Sequence, residues 1–139
     1  MFNKVLVVYD GSPEAKKALR DGLKLAKMSG SECHLVRVIK KPKHISDIEV
    51  FYQAAANELA LIEKEFVGAR FLASQAGFDL PTHTILGDSC EVLKNFVQKG
   101  DYDLVVVTPK KDTALKDVLF GGYVEKLLRN SDISVLVVR

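Results

Sequence analysis

Apolar residues recur along this chain in two alternating rhythms. Val5-Leu6-Val7-Val8-Tyr9 is an unbroken apolar run, the pattern of a strand buried on both faces. Asp10-Gly11-Ser12-Pro13 stops it, with Ser12 placed to cap a helix and Pro13 suited to its first position. The following helix carries Ala15, Ala18, Leu19, Gly22, Leu23 and Ala26 on one face and ends near Ser29-Gly30. A second strand is predicted over 32–39. A long helix then starts near Ser46-Asp47, with the stripe Ala55, Leu59, Ile62, Phe66, Ala69, Ala73 and Ala76, and Gly77 is its expected stop. Residues 81–86 predict a short third strand.

The second half continues the alternation. Gly87-Asp88-Ser89-Cys90-Glu91 has capping-box spacing, Asp88 as cap and Glu91 at the third position. A short helix runs through Val92, Leu93, Phe96 and Val97 to Gly100. Residues 103–108 predict a fourth strand. A loop over 109–120 leads to Gly121-Gly122, a helical segment over 123–129, and a fifth strand over 133–138. Strands alternating with helices imply a parallel sheet with helices on both faces. Ligands of such sheets sit beyond the carboxyl ends of the strands. The candidate loops are therefore Asp10-Gly11-Ser12 and the segment from Thr108 onward.

Composition narrows the picture only a little. A chain of 139 residues, 47% hydrophobic and 27% charged, reads as one globular domain over 1–139. A net charge of +2 is too balanced to point to a nucleic acid or a membrane partner. Cys33 and Cys90 form no CxxC pair and read as reduced thiols, with a disulfide as the alternative. The chain shows no signal-peptide pattern and no apolar run of about 18 residues, so the expected location is cytoplasmic.

Candidate chemistry is sparse. Asp10 can accept hydrogen bonds from a ribose or an adenine amine, or it can merely shape the turn with Gly11. Gly121-Gly122 can present backbone N–H groups to an anion, or simply form a tight loop entering a helix. Lys110 and Lys111 can neutralise phosphate or be solvated. The basic patch Arg37, Lys40, Lys41, Lys43 and His44 lacks interleaved aromatics and reads as a solvated loop. His34, His44 and His83 are scattered and share no ligand spacing, so no metal site is expected. Ser12 and Ser89 lie outside any GxSxG elbow, and no Walker loop or early GxGxxG is present. No catalytic residue is expected, and the chain reads as a non-enzyme. The strand over 133–138, if at a sheet edge, needs cover, either from a second subunit or from another element of the same chain.

The whole chain resembles the universal stress protein family. The resemblance rests on the first strand with Asp10-Gly11-Ser12-Pro13-Glu14 and on Gly87-Asp88. It rests also on Leu115-Lys116-Asp117-Val118-Leu119-Phe120-Gly121, Val124-Glu125-Lys126-Leu127-Leu128 and the closing Val135-Leu136-Val137-Val138. It implies a Rossmann-like α/β fold: three layers, α/β/α, around a five-stranded parallel sheet of strand order 3-2-1-4-5. It implies an adenine nucleotide (ATP, ADP or AMP), with or without magnesium, acting as a regulatory switch in stress response, and a homodimer joined through Val135, Leu136, Val137 and Val138. An unnamed protein partner would read the switch. The nucleotide-binding residues it implies are Tyr9, Asp10, Val38, Thr108, Lys111, Gly121, Gly122 and Tyr123, with Asp10 on the adenosine and the Val38 backbone on the adenine. The family's G-x2-G-x9-G-[S/T] motif falls on Thr108, Lys111, Gly121 and Gly122, and only Gly121 matches. The spacing survives while the phosphate cradle is altered, since Pro109 has no N–H and side chains at 108 and 111 crowd a close approach. The alternative is a dimeric interaction module of the same fold that binds no nucleotide.

Overall fold

Runs of valine and leucine too apolar to face water on either side build the centre of the molecule. The structure, a computed structural model, describes residues 2–39, 48–87, 90–109, 127, 129 and 131–139. Strand β1 (Lys4–Val8) leads into helix α1 (Pro13–Ser29), β2 (Glu32–Ile39) into α2 (Ile48–Gln75), and β3 (Thr82–Leu86) into α3 (Cys90–Lys99). Strands β4 (Leu104–Val107) and β5 (Ser134–Val137) complete the sheet. All pairings are parallel and the order is β3-β2-β1-β4-β5, as the resemblance implied.

The two-residue alternation of side chains divides the core in two. Val5, Val7, Leu35, Leu104 and Val106 pack against α1 and α2, while Leu6, Val36, Val105 and Val107 pack against α3 and Leu127. Each fully buried valine or leucine contributes about 1.5–3 kcal/mol of transfer free energy. Cys33 lies buried in the α1–α2 layer, and burial pushes its thiol up to about 12. No helix among the described residues is long and apolar enough to cross a membrane.

The elements sit where the pattern put them, with one difference of substance. Along the predicted stripe of α2, Ile62, Phe66, Ala69 and Ala73 are buried, but Leu59 is 46% exposed. The reason is length. Twenty-eight helical residues span about 42 Å, whereas the eight of β2 span about 26 Å. About 16 Å of α2, about eleven residues, therefore extends past the sheet, and Leu59 at the margin of that stretch meets no core among the described residues. The Asp88 cap, the 109–120 loop beyond Pro109, the Gly121-Gly122 pair and all of the 123–129 segment except Leu127 and Arg129 lie outside the described residues. Leu127 and Arg129 are helical, and Leu127 is buried.

Candidate ligand site at the carboxyl ends of the central strands

Strand β1 ends where Tyr9 donates its N–H to the Val36 carbonyl at 2.9 Å. The chain must then turn into α1. The Ser12 hydroxyl caps that helix by accepting the Ala15 N–H at 3.1 Å, and Asp10 Oδ1 accepts the Ser12 N–H at 3.0 Å. Asp10 thus shapes the turn while its side chain stays exposed at the strand end. Gly11 takes a φ of +78°, and a Cβ at that position would lie 2.6 Å from the carboxyl carbon of Glu65. The Glu65 carboxylate, delivered by α2, therefore rests directly on the Asp10–Gly11 turn.

Arg37, on β2, closes the group. Its Nη1 lies 3.5 Å from the Tyr9 carbonyl and 4.0 Å from Glu65 Oε2, both long contacts. Arg37 Nε and Glu65 Oε2 are buried and have no hydrogen-bond partner among the described residues. Leaving a buried donor or acceptor unmade costs about 1–3 kcal/mol each, and these two belong to side chains whose charged ends stand 4.0 Å apart. The Tyr9 phenol is held above its usual range, first by burial, then by the Glu65 and Asp10 carboxylates, while Arg20 and Arg37 pull the other way. Two acids and two guanidiniums thus focus on one strand end.

The residues expected to bind a ligand fall into place unevenly. Tyr9 is buried in the α1–α2 layer, so only its backbone is offered to the turn. Val38 is placed by alternation. Leu35 and Ile39 bond toward β3 through Pro81 and Gly87, and Val36 bonds toward β1, so the Val38 backbone turns to the β1 side at a level where that strand has ended. Thr108 and Pro109 are half-buried just past β4, the strand beside β1. Tyr9, Asp10, Val38 and Thr108 therefore share the carboxyl end of the sheet. Lys111, Gly121, Gly122 and Tyr123 lie outside the described residues. Sequence reasoning missed Glu65 altogether and placed Arg37 in a solvated patch. A glutamate one residue before buried Phe66 was the available signal; its partner across the sheet was not. A cleft of about 480 Å³, lined in part by Lys94, Asp101, Tyr102 and Asp132, opens at the opposite, amino end of the strands and belongs to a different surface.

A five-stranded parallel sheet in the order β3-β2-β1-β4-β5, with charged residues gathered beyond the carboxyl ends of its central strands, defines a protein of the doubly wound α/β class. The universal stress protein family model matches residues 1–139, and the chain belongs to that family. It is 27% identical over 153 residues to universal stress protein YxiE of Bacillus subtilis, covering 100% of both chains. Among solved structures it is similar to universal stress protein UspA from Lactobacillus plantarum, with TM-score 0.84, 18% identity, and 99% and 98% of the two chains covered. It is similar also to the universal stress protein from Archaeoglobus fulgidus in complex with dAMP, with TM-score 0.71, 13% identity, and 100% and 98% covered.

Proposed function

We propose that this protein binds an adenine nucleotide at the carboxyl ends of β1, β2 and β4 and acts as a cytoplasmic, ligand-operated regulator without a catalytic step of its own. The observation that carries this reading is a donor, Arg37 Nε, and an acceptor, Glu65 Oε2, both unmet among the described residues, on side chains whose charged ends stand 4.0 Å apart near the Asp10 turn and the Val38 backbone. Adenine presents an acceptor and an amine donor on one edge, N7 beside N6, which is the complement of such a pair. The dAMP complex of the Archaeoglobus fulgidus relative supports the same ligand class. Binding would order the segment that follows Thr108 and change the surface a partner reads.

Calorimetry with ATP, ADP and AMP in the presence of magnesium tests this. Asp10→Ala and Arg37→Ala are each expected to weaken binding about tenfold or more, about 1.4 kcal/mol. No binding of any of the three at millimolar concentration overturns the proposal. Wild-type affinity in both variants places the pocket elsewhere. The second reading, an interaction module of the same fold without nucleotide, is favoured by Thr108 and Pro109 where the family pattern has a glycine and an N–H donor.

Either reading takes a homodimer. Strand β5 is at the sheet edge, and Val135, Leu136 and Val137 are only half-buried. Edge-to-edge pairing of Val135–Val138 with a second copy about a two-fold axis would cover it. Sedimentation at tens of micromolar is expected to show a dimer, and Leu136→Lys is expected to shift it toward monomer. A wild-type monomer at that concentration removes the edge-strand argument.

A further inference from the structure

At the amino end of the sheet, away from the Asp10 turn, two histidines 49 positions apart in the chain meet. His34 on β2 is 8% exposed, and His83 on β3 is half-buried. Residues that look scattered along the sequence are thus brought together by the β2–β3 pairing. Nδ1 of His34 and Nε2 of His83 are 3.0 Å apart. The rings are inclined by 4° with centroids 5.3 Å apart. That spacing equals the N···N distance plus the two ring radii. The rings therefore lie end to end, with the two nitrogens aimed at each other. Zinc would need about 2.0–2.1 Å to each nitrogen, or about 4 Å between nitrogens in line. The gap admits a hydrogen and not a metal ion.

The surroundings support a bridge and do not replace it. The Tyr102 hydroxyl is 3.0 Å from His34 Nδ1 and 3.5 Å from His83 Nε2. With the 3.0 Å bridge as third side, it lies about 70° off the N···N axis. It flanks the bridge and leaves the in-line position to the partner ring. Glu32 Oε1 stands 3.4 Å from the outer nitrogen of His34, and Lys4 Nζ lies 4.7 Å from the centre of the Tyr102 ring. Helix α3 contributes Phe96, edge-on to His83 at 5.2 Å. Among the described residues, the titratable groups facing the pair are therefore Lys4 from β1, Glu32 from β2 and Tyr102 from the turn before β4.

We propose that the His34–His83 pair is a proton-operated latch that fastens edge strand β3 to β2 and opens when the pair takes up a second added proton. In the neutral pair one ring donates and the other accepts. One added proton leaves an imidazolium donating to a neutral imidazole, a charge-assisted and stronger bridge. A second leaves two N–H groups and two positive charges facing each other at 3.0 Å with no acceptor between them. Among the described residues strand β3 pairs with β2 alone, so the loss falls on β3 and on α3, which packs beside it.

The direction of the His83 shift agrees. Its folded value lies below the ordinary 6.5, first through burial, then through His34 and Lys4. Folded His83 thus holds its proton less tightly than the unfolded chain does. Its contribution is complete above pH 6.5 and is lost as the pH falls from there toward the lower folded value.

The test uses the whole protein labelled with nitrogen-15. At pH 7.5 a scalar coupling across the hydrogen bond between His34 Nδ1 and His83 Nε2 is expected. Amide-exchange protection in β3 and α3, corrected for intrinsic rates, is expected to fall on acidification by up to about tenfold per pH unit while β1 and β4 hold. His83→Gln is expected to flatten that dependence, and Tyr102→Phe to keep it. Absence of the coupling, or equal loosening across all five strands, overturns the proposal; both are read on wild type, so they decide even if His83→Gln does not fold. Unchanged acid sensitivity of β3 in a folded His83→Gln variant overturns it as well.

Discussion

Gly11→Ala is expected to weaken both the fold and the proposed binding of an adenine nucleotide. The turn holds Gly11 at φ +78°, where a residue with a Cβ pays about 1–2 kcal/mol. The new methyl would stand 2.6 Å from the Glu65 carboxyl carbon, well inside contact distance. Glu65 is the far end of a flexible side chain and would move. The contact itself then costs little, while the cluster with Arg37 is dispersed. Denaturation should show the loss of about 1–2 kcal/mol, and calorimetry should show adenine-nucleotide affinity reduced about tenfold. The double variant Gly11→Ala/Glu65→Ala separates the two terms, since it keeps the strain and removes the clash. Wild-type stability together with wild-type affinity in Gly11→Ala would mean that neither the turn nor the carboxylate resting on it matters.

The second large effect is expected at Gly22, where α1 crosses the sheet. A Cβ there would lie 3.0 Å from a Val7 methyl and 3.7 Å from a Val106 methyl, and both valines are fully buried. Two effects compete. Replacing glycine inside a helix gains about 1 kcal/mol of propensity, while overfilling a packed layer costs about 1–3 kcal/mol. For Gly22→Ala they nearly cancel. For Gly22→Val the two further carbons and the lower helix propensity of a β-branched residue put the steric term ahead. Gly22→Val should therefore lose about 3 kcal/mol and lower the midpoint of thermal unfolding by about 10 °C. A Gly22→Val protein that melts with wild type would show that α1 can lift from the sheet at no cost.

Much of the fold was legible because burial on two faces leaves a mark in the sequence. Val5-Leu6-Val7-Val8 and Val105-Val106-Val107 admit hardly any reading except central strands. Ala15, Ala18, Leu19, Leu23 and Ala26 repeat at the helical period, and all five are buried. The same logic overreached at Leu59, because periodicity reports that a helix has an apolar face and not that a core extends far enough to meet it. The site was legible in part. Asp10 was marked by its place at a strand end. Glu65 and Arg37 were not, because neither residue carries a local signal of the other.

The order of hydrophobic and polar positions by itself determined the alternating strands and helices, the two-faced burial of β1 and β4, the capped turn at Ser12 and the carboxyl-end location of the Asp10 loop. These depend on neighbours within a few positions, which the sequence displays directly. Tertiary structure alone decided that Glu65 comes to rest on Gly11, that Arg37 stands 4.0 Å from its carboxylate, and that His34 and His83 meet nitrogen to nitrogen. Those contacts join residues tens of positions apart, and they follow from how parallel strands register and how far a helix reaches across them.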